Sequence, residues 1–273
     1  MKKLLTVLLA GIILSGCSSA TNQETTNNEE SSTFTVGMEC NYAPYNWTQN
    51  TETEFTVKTS SVDYCDGYDV QIAKKIAAEM NKELVVKAIS WDGLIPALQN
   101  DTIDALIGGM TDTEERRQSV SFSQPYYASE MVIVVPKDSP YANITNIQEL
   151  TNAKVVGQAD TLYDEVIDQI EGVNHLTPQE SFTRAILSVT SGEADALVGE
   201  LPAAKGAITS DSNLVIVRFN EENGFKADTT VSVAVKKDNT ELVDQINSIL
   251  ENISSDDRTQ LMVEAGERQP ASE

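Results

Sequence analysis

A repeat constrains this chain more than any other feature. Asp104-Ala105-Leu106-Ile107-Gly108 recurs as Asp195-Ala196-Leu197-Val198-Gly199, an offset of 91 positions. At the same offset Trp91 matches Phe182, Ile95 matches Ile186 and Leu98 matches Val189. Each copy reads as an aromatic at a helix start, a short amphipathic helix, a turn, and a buried strand ending in glycine. The offset is far too long for a solenoid. Two similar α/β lobes are therefore expected.

The rest of the chain alternates in the same way from Phe34 onward. Strands are predicted at 34–39, 84–89, 105–107, 131–135, 154–156, 196–198, 214–219 and 230–235, and helices at 69–80, 91–99, 161–170, 182–191, 202–208, 241–253 and 256–264. In the first helix Val70, Ala73, Ala77 and Met80 share one face, and Lys74, Lys75 and Glu79 the other. The 273 residues suffice for one large or two medium domains. With 19 Lys+Arg against 42 Asp+Glu, the net charge of −23 argues against nucleic acid as a partner. An apolar fraction of 40% separates the chain from disordered acidic proteins. Three cysteines and one histidine leave little material for a zinc site. No phosphate loop, nucleophile elbow or metal constellation is present, so neither metal nor cofactor is expected.

The N-terminus reads as an address. Lys2 and Lys3 precede an apolar run from Leu4 to Leu14, too short to span a hydrocarbon core of ~30 Å. Leu14-Ser15-Gly16-Cys17 is similar to a bacterial lipobox, which implies a signal peptide over 1–16 and lipidation of Cys17. A secretory signal cleaved elsewhere is the alternative. Residues 17–32 carry no large apolar side chain, as suits a flexible tether between lipid and domain. Export would permit a disulfide between the two remaining cysteines, Cys40 and Cys65; two free buried thiols are the other reading.

Ligands of open α/β sheets bind outside the carboxyl ends of strands. After the first copy of the repeat that position is held by Gly109 to Arg116, and after the second by Glu200-Leu201-Pro202. Gly109 permits close approach to the backbone. Thr111 with Glu114 three residues on is a capping-box pattern, which would gather free N–H groups at a helix start. Arg116 brings a planar fork that matches a carboxylate. Thr111, the backbone at Thr113 and Arg116 thus suit an α-carboxylate, and Glu200 opposite them suits an ammonium.

At this point the chain resembles the solute-binding proteins of ABC importers, in the polar amino-acid group. The resemblance runs from about Phe34 to Pro270 and is carried by VGMECNYAPYNW (36–47), DGYDVQIAKKIA (66–77), WDGLIPALQNDTIDALIGGMTDTEERRQSVSFSQPYY (91–127) and GEADALVGELPAA (192–204). It implies the two-lobed α/β fold of type 2 periplasmic binding proteins, with two crossover strands and a ligand cleft between the lobes. Lobe 1 would comprise 33–128 and 228–273, and lobe 2 residues 129–227. Tyr42 and Trp91 would sandwich the ligand side chain, and Gly109 would offer its carbonyl to the ammonium. Thr111 and Arg116 would hold the carboxylate, helped by Thr161 from the second lobe. Glu200 would pair with the ammonium, where many relatives carry Asp. The Gly-Thr-Thr loop common in relatives reads Ala159-Asp160-Thr161 here, which alters the local backbone requirement.

Glu39, beside Tyr42 and Trp91, would suit a guanidinium or ammonium stacked between rings. Arginine is the expected ligand, then lysine, with glutamine next. The resemblance implies a non-catalytic, monomeric lipoprotein on the outer face of a single-membrane bacterium, delivering its ligand to a permease and ATPase. A ligand sensor and a dehydratase-like enzyme on the same fold are the rival readings. His175, the sole histidine, falls in a predicted loop as a solvated residue. Residues 48–64 form an extra segment with no assigned role.

Overall fold

The computed structural model describes residues 32–269. The expected signal peptide, the Cys17 lipidation site and nearly all of the tether lie outside those residues. The chain opens with β1 (Thr33–Met38), β2 (Asn41–Tyr42), β3 (Asn46–Gln49), β4 (Val57–Lys58), β5 (Tyr64–Asp66), α1 (Tyr68–Glu79), β6 (Glu83–Ala88), α2 (Trp91–Gln99) and β7 (Ala105–Leu106). It continues through β8 (Val120–Ala128), β9 (Met131–Pro136), β10 (Lys154–Val156), α3 (Leu162–Glu165), β11 (Asn174–His175), α4 (Phe182–Thr190), β12 (Ala196–Glu200) and α5 (Leu201–Ser210). It ends with β13 (Leu214–Arg218), β14 (Thr230–Lys236), α6 (Thr240–Glu251) and α7 (Ser255–Arg268).

The repeat seen in the sequence is a repeat of sheet architecture. One five-stranded sheet runs β6-β1-β7-β14-β8 and the other β11-β10-β12-β9-β13. In each, the first three strands are parallel and the last two antiparallel to their neighbours. The duplicated strands β7 and β12 occupy the same central place in the two sheets. The chain passes from one sheet to the other between β8 and β9 and returns between β13 and β14. β9 carries four consecutive fully buried residues, Val132 to Val135, as a strand covered on both faces requires.

Several elements depart from the sequence reading, among them β2 to β5 and β11, which fall where no strand is predicted. The helix expected over 161–170 is one α turn, α3, followed by a 3-10 turn at Val166–Gln169. Strand β8 has no counterpart among the predicted strands. It contains Pro125 and pairs with β14 through register shifts, so its inward and outward positions do not alternate cleanly. As an edge strand it tolerates the missing N–H of proline.

The extra segment builds a small sheet of order β2-β3-β5-β4. Cys40 and Cys65 form a disulfide with their Cα atoms 5.8 Å apart, so the free-thiol alternative is not realised. The bridge ties the exit of β1 to β5 immediately before α1. Arg268 of α7 pairs with the buried Asp66 at 3.2 Å and lies 4.1 Å over the ring of Phe55. The small sheet is thereby fastened to the C-terminal helix.

Gly67 is where α1 meets this layer. It sits at φ +131°, and a Cβ there would lie 2.2 Å from the carbonyl oxygen of Tyr45. That close approach lets Tyr68 and Asp69 donate their N–H groups to the carbonyls of Pro44 and Tyr45. The start of α1 and the 40–46 loop are thus one rigid unit. Replacing both Cys40 and Cys65 with alanine should lower the unfolding free energy by about 3 kcal/mol, read from urea denaturation of oxidised wild type and the double variant.

Candidate functional site

The cleft is built from the loops at the carboxyl ends of three parallel strands. Glu39 succeeds β1, Gly108 and Gly109 come just after β7, and Gln158 to Tyr163 come after β10. With Tyr42, Trp91, Thr111 and Arg116, these segments line a narrow cleft. Seven of the nine expected site residues line it: Glu39, Tyr42, Trp91, Gly109, Thr111, Arg116 and Thr161. Thr113 lies outside, in a neighbouring depression with Asp92, Glu115 and Glu165. Glu200 stands behind the wall.

The Thr111–Glu114 capping box does not form. Thr111 instead bridges to Val231 of β14, and its carbonyl accepts from the Arg116 guanidinium at 2.7 Å. Thr113 Oγ1 instead accepts from the N–H of Arg116 at 3.2 Å, in the turn that leads into a 3-10 turn at Arg116–Gln118. A second arm of Arg116 donates to the carbonyl of Asp160 at 2.7 Å, and Trp91 Nε1 donates to the same oxygen at 3.3 Å. The guanidinium also stacks over Trp91 at 5.5 Å. Burial lowers its pKa, while Glu165 and Glu115 oppose that shift. Arg117 is a separate matter: it forms a bidentate pair with Asp112.

The left-handed backbone of the second lobe's loop falls on Asp160, at φ +57°. Aspartate tolerates this conformation better than most residues, so Ala159 is not required to adopt it. Thr161 then caps α3 from extended backbone and donates its hydroxyl to the carbonyl of Gln158 at 2.7 Å.

Glu200 is wholly buried at the end of β12. Tyr42 donates its hydroxyl to one carboxylate oxygen, and Tyr45 to the other at 2.6 Å. The hydroxyls of Ser129 and Tyr163 also face it, without completing hydrogen bonds of regular geometry. Tyr42 and Tyr45 stack at 5.3 Å with their planes 8° apart, and Phe182 meets Tyr42 edge-on at 5.4 Å. Burial raises the pKa of Glu200 against the pull of its tyrosine donors.

Sequence reasoning passed over three residues. Tyr45, Tyr163 and Gln158 are buried aromatic or amide side chains, and no periodicity marks them. Gln158 is 5% exposed, and its Nε2 has no hydrogen-bond partner. Its amide faces Glu39. Burial pushes the Glu39 carboxyl up to about 7, with the Gln158 amide opposing the shift and Asp92 adding to it.

His175 is not a solvated loop residue. It lies on β11, half-buried, with each ring nitrogen 2.9 Å from a carboxylate, Asp164 and Asp168. Burial alone would depress its pKa; the two carboxylates more than offset that and raise it. Among the described residues no helix is long and apolar enough to cross a membrane, and no cluster of His, Cys, Asp or Glu is arranged to hold a metal ion.

Comparison with known proteins decides the family. The model of "Bacterial extracellular solute-binding proteins, family 3" matches residues 34–264. The chain belongs to this family. A probable histidine-binding protein of Campylobacter jejuni is 30% identical over 220 residues, covering 79% of this chain and 80% of that one. The glutamine-binding protein GlnH of the Bacillus subtilis ABC transporter is 26% identical over 272 residues, with 94% of each chain covered. The crystal structure of the amino-acid ABC transporter substrate-binding protein AbpA of Streptococcus pneumoniae, bound to L-arginine, superposes with a TM-score of 0.74 at 25% identity. That match covers 86% of this chain and 95% of the other. The protein is thus an amino-acid-binding component of an ABC transporter, in a non-catalytic family with the two-lobed periplasmic-binding-protein fold.

The buried carboxyls set a pH dependence. Glu39, Asp69 and Glu200 all have folded-state pKa values raised by burial, and that of His175 is raised by its carboxylates. The folded state therefore binds more protons than the unfolded chain from the ordinary carboxyl range up to about 7 for Glu39 and Asp69, over a raised range for Glu200, and above 6.5 for the histidine. Their stabilisation is complete at low pH and is lost as pH rises through the folded-state values. The melting temperature in amino-acid-free buffer should be higher near pH 5.5 than near pH 8, and Glu39→Gln should flatten part of the decline.

Proposed function

We propose that the protein binds a free L-amino acid with a cationic side chain, arginine first and lysine next, by closure of its two lobes. Glu39 carries this reading. A carboxylate at the end of β1, flanked by the rings of Tyr42 and Trp91, presents one negative charge between two aromatic faces. That is the environment a guanidinium prefers. Arg116 and Thr111 take the α-carboxylate, with the N–H at Thr161 approaching from the second lobe. The carbonyl of Gly109 takes the ammonium, and Glu200 attracts it from behind Tyr42. Thr113 supports Arg116 by accepting its backbone N–H.

Closure turns about the segments that join the two sheets, near 128–131 and 218–230. These divide the chain into a first lobe of 33–128 with 228–273 and a second of 129–227. Each lobe alone leaves half of the site in water, so a ligand that touches both shifts the population toward the closed form. Cys17 carries the lipid, and residues 17–32 let the domain reach the permease from the outer face of the membrane. The arginine-bound relative from Streptococcus pneumoniae supports the choice of substrate. Glutamine is the second reading. The Gln158 amide beside Glu39 favours it, because amide and acid together can satisfy both ends of a carboxamide.

Thermal unfolding against each of the twenty amino acids tests the proposal. A ligand at a thousand times its Kd adds ~4 kcal/mol, or roughly 8–16 °C for a chain of this size. Arginine and lysine should give the largest shifts. Affinity for arginine should rise about tenfold from pH 6 to pH 8 as Glu39 ionises, and Glu39→Gln should abolish that rise. A large shift with glutamine alone would overturn the choice of substrate and leave the amino-acid site intact.

A further inference from the structure

Gly109 is held from behind by residues that do not line the cleft. Its N–H donates to the phenol oxygen of Tyr126 at 2.9 Å. That hydroxyl donates to Oδ1 of Asp69 at 2.7 Å, and Asn46 donates through Nδ2 to Oδ2 of the same carboxylate, also at 2.7 Å. Tyr126, Asp69 and Asn46 are all fully buried. The series joins β3, α1 and β8 to the loop after β7. Tyr68 adds a bond from its hydroxyl to the backbone carbonyl of Tyr126 at 2.9 Å.

The direction of each bond is forced. A phenol has one proton to give, and the Gly109 N–H already occupies an acceptor site on Tyr126. The Tyr126 proton must therefore go elsewhere, and Asp69 is its acceptor. Gly109 itself needs an external restraint. It sits at φ +64°, and a Cβ there would meet the Tyr42 ring at 3.3 Å, so glycine is favoured. Glycine is also the residue least able to hold its own conformation. A single hydrogen bond from a buried, fixed hydroxyl supplies the restraint. The groups facing Asp69 are Tyr126, Asn46, Tyr68 and, at longer range, Glu200.

We propose that Asp69 and Tyr126 are positioning residues for ligand recognition, setting the Gly109–Thr111 segment through a relay from carboxylate to phenol to backbone. The recognition half of the proposal rests on the amino-acid reading above; the relay does not. Burial also pushes the Asp69 carboxyl up to about 7. Either protonation state leaves an oxygen able to accept from Tyr126.

Two readouts on the full-length chain test it: amide exchange at Gly109 by NMR, and the Kd for L-arginine. In wild type the Gly109 amide should be protected although it borders the cleft. Tyr126→Phe removes the acceptor and should speed that exchange and weaken arginine binding, each by about tenfold, the effect of losing one buried hydrogen bond. Asp69→Leu should do the same. Asp69→Asn still offers Tyr126 an acceptor, and the oxygen of Asn46, which has no partner in the structure, can turn to meet the new amide. It should stay within about threefold of wild type.

Rapid exchange at Gly109 in wild type would overturn the relay, as would unchanged protection in Tyr126→Phe. Arginine binding by Tyr126→Phe equal to that of wild type would overturn its role in recognition. Equal losses in Asp69→Asn and Asp69→Leu would mean that Asp69 acts through its charge, and would also overturn it. If Tyr126→Phe does not fold, the wild-type exchange and the Asp69 pair decide. If wild type does not bind arginine, the substrate choice fails while the exchange arm still judges the relay.

Discussion

A fully buried carboxylate governs this molecule. Glu200 ends the central strand of the second sheet and has no solvent exposure. A buried carboxylate costs several kcal/mol unless donors surround it. Its donors, Tyr42 and Tyr45, come from the loop after β1 in the other sheet. Satisfying the charge therefore draws the two lobes onto one point. The stacked tyrosines and the edge of Phe182 fill the space around that point, so Tyr42 presents one face to the cleft and its hydroxyl to Glu200.

The same rule of polar satisfaction organises the rest of the wall. Arg116 directs two arms to the carbonyls of Thr111 and Asp160, one on each side of the cleft. Trp91 gives its indole N–H to that same Asp160 oxygen. Gly109 is oriented by Tyr126, and Tyr126 by Asp69. Arg116, Trp91 and Gly109 are thus each fixed by hydrogen bonds within the protein. Such pre-organisation reduces the ordering cost of binding.

Much of this was legible in the sequence. The repeat at 104 and 195 marked the two central strands, and the rule that ligands gather at strand ends led to Gly109, Thr111 and Arg116. Local pattern failed where tertiary pairing decides. Pro125 and the register shifts of β8 hide its alternation. Thr111 matches a helix cap in sequence, yet its backbone is taken by a bridge to Val231, and the Arg116 N–H goes to Thr113 Oγ1. Glu200 reads as a strand-tip partner for the ligand ammonium, and nothing in its neighbourhood announces Tyr42 and Tyr45, more than 150 positions earlier. His175 reads as solvated for the same reason: its two carboxylates are set by the fold of 164–168 against β11.

The central claim is the orientation of an amino acid across these two half-sites. A crystal structure of the complex with L-arginine tests it most directly. The account requires the α-carboxylate at Arg116 and Thr111, and the guanidinium between Tyr42 and Trp91 facing Glu39. A guanidinium turned away from Glu39, or a carboxylate with no contact to Arg116, would contradict it.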